Sequence, residues 1–137
     1  CSWTDLAEGA ECFGGTAQYR ITFDAPDAQD TCLLDLGEVH SSARVRMNGN
    51  PVQTLIGPSF RTVLRGVKPR GNQLEIEVTS LAANRIRDLD RRKVEWKIFE
   101  DINFVNREYR PFDASEWSLM SAGLLGPVML TPLEKGE

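Results

Sequence analysis

The chain has 137 residues, of which 41% are apolar and 26% charged, with a formal net charge of −4. That is enough for one ordinary domain with its own core, and it is too apolar for disorder. No run of 18 or more apolar residues occurs, which excludes a membrane-spanning helix, and the acidic balance argues against a nucleic-acid binder.

The opening Cys1-Ser2-Trp3 carries neither Met nor a signal peptide, so a piece of a longer polypeptide is expected. From Ala17 to Thr79 the apolar period is two. Ala17, Tyr19, Ile21 and Phe23 alternate with Gln18, Arg20, Thr22 and Asp24, as in a strand with one wet face. Asp24–Asp30, with Pro26 inside, is a turn, and a buried strand follows near 31–36. Ala43, Val45 and Met47 form the next alternation. Asn48-Gly49-Asn50-Pro51 supplies residues that tolerate positive φ, predicting a hairpin between strands near 43–47 and 52–56. Lys68-Pro69-Arg70-Gly71-Asn72 joins a strand near 60–65 to one near 73–79. A last strand is expected near 127–132, after the Leu124-Leu125-Gly126-Pro127 bend. About seven short strands separated by turns predict an all-β fold, a β-sandwich or jelly roll.

The stretch 82–123 breaks the rhythm. Loops beyond about 12–15 residues are uncommon unless functional or disordered, and this one holds six of the eleven aromatics, eight of the sixteen Lys and Arg and eight of the twenty Asp and Glu. Its start, Leu81 to Arg92, reads as a short helix, with Ile86 and Leu89 on one face and Arg85/Asp88 or Asp88/Arg92 at pairing distance. An aromatic, charge-balanced excursion on a β scaffold is where function is expected.

Ser2-Trp3-Thr4-Asp5 and Phe13 to Phe23 resemble the opening of the sugar-binding-type jelly roll of family 2-like glycoside hydrolases. Leu34 to Val39, Ala43 to Gly49, Leu74 to Thr79 and Ser121 to Val128 follow in the order and spacing of that domain. The run Asn84-Arg85-Ile86-Arg87-Asp88-Leu89-Asp90-Arg91-Arg92 most resembles the C-terminal domain of large bacterial α-L-rhamnosidase-type enzymes. This resemblance covers the whole chain, residues 1–137. It implies a galactose-binding-like fold attached to a catalytic (β/α) barrel, with the hydrolytic carboxylates on the barrel, so no catalytic residue transfers to this chain. It also implies a bacterial periplasmic or extracellular setting.

The residues give no independent hydrolase. His40 beside Ser41 and Ser42 is a surface or turn histidine, since neighbours on a strand point to opposite faces and no Gly-x-Ser-x-Gly elbow exists. Asp88, Asp90, Glu95, Glu100, Asp101 and Asp113 each lie near Arg or Lys, which keeps a carboxylate ionised and unsuited to general-acid work. Asp88-Leu89-Asp90 fails the EF-hand template, with Arg92, Lys93 and Phe99 at the fifth, sixth and twelfth positions; a structural calcium would rest on main-chain carbonyls, and no metal site is assigned. Cys12 and Cys32 are a disulfide in an oxidising compartment or two buried thiols.

Trp96, Tyr109 and Trp117 are the carbohydrate-stacking candidates, with Arg85, Asp88 and Arg91 to bond hydroxyls or a carboxylate. The competing reading is that these rings fold the excursion onto the sandwich or pack it against a barrel. Three functions follow from the sequence. The first is a non-catalytic accessory domain that braces the barrel or shapes its cleft. The second is an autonomous carbohydrate-binding module, for which rhamnose- and galacturonate-containing plant-type glycans are the ligands to test. The third is a protein-interaction sandwich with an exposed apolar patch on 82–123. A domain separated from its barrel can also dimerise through the surface thereby uncovered.

Overall fold

The computed structural model describes residues 1–98, 105 and 107–133. The alternation read from the sequence becomes an antiparallel sheet of four strands in the order β1 (Thr16–Phe23), β7 (Asn72–Thr79), β4 (Ser42–Met47), β5 (Asn50–Ile56). Register aligns the apolar positions across it: Ala17, Val78 and Ala43 form one row, Tyr19, Ile76 and Val45 the next, and Ile21, Leu74 and Met47 a third. A slip of one residue would turn all of these rows to solvent, so burial of one face fixes the pairing. The outer face carries the cross-strand pairs Arg20–Glu75 at 3.6 Å and Arg44–Glu77 at 3.4 Å. Each contributes little stability in water, but together they keep that face wet.

A second sheet, in the order β6 (Arg61–Arg65), β2 (Thr31–Asp35), β9 (Met129–Pro132), turns Cys32, Leu34 and Leu64 inward. The two inner faces enclose one core of Leu34, Leu36, Val45, Leu64, Leu74, Ile76 and Val78, all at most 1% exposed. A third, two-stranded sheet pairs β3 (Glu38–His40) with β8 (Gly123–Gly126). The described residues thus form an all-β sandwich with one α-helix, α1 (Ala83–Arg91).

Asn48 and Gly49 take positive φ of 50° and 81° at the hairpin tip, as the sequence predicts. In the second predicted turn, the buried Asn72 accepts from the Lys68 amide at 2.8 Å and donates to the Lys68 carbonyl at 2.7 Å, so a side chain closes the loop.

Three expectations need correction. Among the described residues nine strands form rather than about seven, because β3 and β8 pair over a long sequence distance without alternation of their own. The last predicted strand begins only at Met129, with Gly123–Gly126 a separate strand before it, so the excursion ends at Ala122. The cysteines are all free: Cys32 is buried, Cys12 is half-buried and bonds the Gly9 carbonyl, and Cys1 is exposed. Neither the disulfide nor the pair of buried thiols therefore holds.

The segment before β1 is pinned to the end of the excursion. Ser2 Oγ donates to the Ala122 carbonyl at 3.2 Å and accepts from its amide at 3.0 Å, while the Trp3 amide reaches the same carbonyl at 2.9 Å. Trp3 is buried, stacks edge-on against Phe13 and donates its indole N–H to the Tyr19 hydroxyl.

Candidate functional site

The excursion is organised by one face of α1. Asn84, Arg87 and Asp90 stand three residues apart, so they project along one side of the helix. Each holds the main chain of the returning segment at a matching interval. Asn84, only 4% exposed, pairs with Met120 as a strand would, donating to its carbonyl at 2.7 Å and accepting from its amide at 2.9 Å. Arg87 Nε donates to the Trp117 carbonyl at 2.7 Å. Asp90 Oδ2 accepts from the Ala114 amide at 2.8 Å. The return path therefore runs antiparallel to the helix, fastened at 120, 117 and 114 by 84, 87 and 90.

Asp90 is also the centre of a polar cluster. Its Oδ1 accepts from the Trp96 indole N–H at 2.6 Å and pairs with Lys97 Nζ at 3.3 Å. Burial pushes this carboxyl upward, but the Ala114 amide, the Trp96 indole and Lys97 outweigh it and hold the group below its ordinary value of 3.8. Lys97 is fixed in turn. It donates to the Phe112 carbonyl and lies 5.6 Å from the Trp96 ring centre and 5.3 Å from that of Phe112, both within cation–π range. Phe112 meets Trp96 and Trp117 edge-to-face, with centroids 6.2 Å and 5.6 Å apart. Asp113 accepts from the Ser115 amide at 2.9 Å, and this backbone bond keeps its carboxyl low.

Beside this cluster lies an open groove of about 700 Å³ whose lining includes Arg91, Glu95, Trp96, Phe112 and Glu116. The structure thus brings Trp96 and Arg91 of the predicted carbohydrate set to one place, with Trp117 joined to it through Phe112. The others stand apart. Tyr109 is 77% exposed, at a positive φ of 57°, and is not among the groove's lining residues. Arg85 faces the N-terminal segment, where a Cβ on Gly14 would come within 3.2 Å of its own Cβ. Asp88 is bound to Arg92, four residues on, at 2.6 Å.

Of the carboxylates expected near a cation, Asp88 and Asp90 pair with one directly, while Asp113 is held low chiefly by the Ser115 amide, with Lys97 adding to it. Glu100 and Asp101 lie outside the described residues. Among the described residues no three His, Cys, Asp or Glu side chains gather as a metal site would require. His40 ends β3 and bonds Glu38 at 2.8 Å.

Sequence reasoning missed Asn84, Arg87 and Lys97 as organising residues and took Asp90 for an ordinary ion-paired acid. Their three-residue spacing was present as a signal, but its partners are main-chain groups that no side-chain pattern reveals. Asn84→Ala is expected to destabilise the domain by about 1–2 kcal/mol, since it leaves the Met120 amide and carbonyl without their partners. Urea denaturation measures this, and Asn84→Asp should restore the bond to the amide but not the one to the carbonyl.

No protein-family model matches the chain. A curated protein of Formosa agariphila named "Putative beta-glucuronidase" is 35% identical over 155 aligned positions, covering 96% of this chain but 13% of that protein. Among solved structures, a rhamnosidase from Novosphingobium sp. PP1Y superposes with a TM-score of 0.71 at 26% identity, over 93% of this chain and 12% of that one. A GH2 β-galacturonidase from Eisenbergiella tayi shares the fold, with a TM-score of 0.58 at 19% identity, over 97% of this chain and 19% of that one. The chain spans only about an eighth of the curated relative it matches.

Proposed function

We propose that this chain, a β-sandwich domain of the kind built into large glycoside hydrolases and non-catalytic by itself, braces the catalytic barrel of an α-L-rhamnosidase-like polypeptide. The excursion would be its docking surface. One observation carries this reading: the excursion's path is held by polar contacts to its main chain, while Val94, Ile98, Tyr109, Trp117, Leu119 and Met120 remain exposed on it. These are half of the twelve exposed large apolar side chains among the described residues. Apolar groups displayed on a fixed frame suit a partner surface. A secreted or periplasmic setting belongs to the same proposal.

The test uses this chain and the remainder of its polypeptide expressed separately. The two should associate, and Leu119→Asp with Met120→Asp should weaken that association at least about tenfold by burying charge at an apolar contact. Unchanged association would overturn the reading.

Carbohydrate binding by the excursion is the second reading, favoured by the groove that Arg91 and Trp96 line. It has less support, because Lys97 sits over the Trp96 ring and Asp90 holds its N–H. Calorimetry of the chain against rhamnose- and galacturonate-containing glycans tests it, and no heat at millimolar ligand removes it.

A further inference from the structure

A second concavity lies away from the excursion, where β5 and β6 approach each other. It encloses about 810 Å³ and is lined in part by Arg61, Arg65 and Lys68, with no Asp or Glu in its wall. In a chain of net charge −4, a wall with three cations, of which among the described residues only Arg61 is paired to an acid, Asp35 behind it, is a local reversal of sign, and concave walls focus such a field. β5 is the edge strand at the opposite side of its sheet from β1, so the N-terminal segment that meets α1 leaves this place open.

The wall is partly organised in advance. Arg61 Nε donates to Asp35 Oδ2 at 2.6 Å, and Asp35 is itself braced by the Gly37 amide at 2.9 Å. That bond uses one edge of the guanidinium and leaves its terminal nitrogens as donors. Arg65 stands two residues beyond Val63 on the same face of β6, about 13 Å along the strand from Arg61. Neither Arg65 nor Lys68 has a carboxylate partner among the described residues. Across the groove, the Thr62 hydroxyl donates to Gln53 Oε1 at 2.7 Å. That bond fixes the orientation of the Gln53 amide, whose N–H₂ is a donor. Leu33, Val52 and Val63 supply apolar wall between these groups.

We infer that this groove binds a carboxylate-bearing saccharide. Separated cations would meet carboxylates on successive sugar units, the Gln53 amide would donate to a hydroxyl or carboxylate, and the apolar wall would accept the C–H face of a ring. Nucleic acid fits less well, since no aromatic ring lines the groove for a base to stack on. This inference is independent of the docking proposal, because it concerns a different part of the sandwich.

The test titrates the 137-residue chain with a galacturonate trimer, with its methyl ester, and with single-stranded oligothymidylate, following amide chemical shifts. The trimer should shift amides of β5 and β6, and Arg65→Gln with Lys68→Gln should weaken it at least about tenfold. Both positions are exposed, and a thermal melt should confirm that the variant folds. Gln53→Leu should weaken binding while leaving the cations in place. The methyl ester should fail to bind. The inference falls if the trimer causes no shifts, if the ester binds as well as the acid, or if the double substitution changes nothing. It also falls if oligothymidylate binds as tightly, which would make the groove a general polyanion site.

Discussion

Gly37→Ala is expected to destabilise the domain by about 3 kcal/mol or more, or to prevent folding. Gly37 has a φ of +65°, and a Cβ there would stand 2.6 Å from the carbonyl carbon and oxygen of Gly126 and 2.7 Å from the Pro127 oxygen. These are backbone atoms that join β8 to β9, so no side-chain rotation relieves the contact, and β3 would have to part from β8. Gly49→Ala is the control. It too has a positive φ, +81°, but nothing lies within 4 Å of the added carbon, so only the conformational penalty of about 1 kcal/mol remains. Denaturant unfolding of both variants checks the difference. Equal effects would mean that close approach is not what makes Gly37 necessary.

Asp90→Ala is expected to destabilise the excursion by about 2–4 kcal/mol, because the Ala114 amide, the Trp96 indole and Lys97 all lose one partially enclosed acceptor. Asp90→Asn should be milder, since one amide oxygen still serves one side of the cluster, although its N–H₂ then opposes a donor on the other. Faster hydrogen exchange at Ala114 and a shift in tryptophan emission would report the loss, and unchanged exchange would argue against a central role. The same carboxylate predicts a pH dependence. Its pKa in the folded state lies below the ordinary 3.8, so the folded form binds fewer protons than the unfolded one in that range. Its stabilisation is therefore fully present above about pH 4 to 5 and is lost as pH falls through the lower, folded value. Acid should loosen the excursion, and Asp90→Asn should flatten that response.

The body of the sandwich was legible because its physics is local. Ala17 to Phe23, Ala43 to Met47 and Leu74 to Val78 alternate cleanly, and Asn48-Gly49 closes a hairpin with few alternatives. Gly123-Leu124-Leu125-Gly126 was not legible as a strand. Its glycines hold positive φ of 103° and 76°, and its partner, Glu38–His40, is supplied by a distant part of the chain. The helix at the head of the excursion was visible from its spacing, and so was the Asp88–Arg92 pair. What α1 does was hidden, because Asn84, Arg87 and Asp90 contact main-chain groups of residues about 24 to 36 positions away. Trp96 shows the limit most plainly. An exposed-looking indole reads as a sugar platform until its N–H is found on Asp90.

The three fastenings along α1 have an evolutionary corollary. They grip amides and carbonyls, groups that every residue but proline carries in full, and leave the side chains of Trp117 and Met120 outside the grip. Shape and surface chemistry are thereby assigned to different positions, so selection could rewrite the outward side chains of 117–120 without redrawing the path beneath them. Relatives of this domain should hold the three helix residues steady while varying what the returning segment displays.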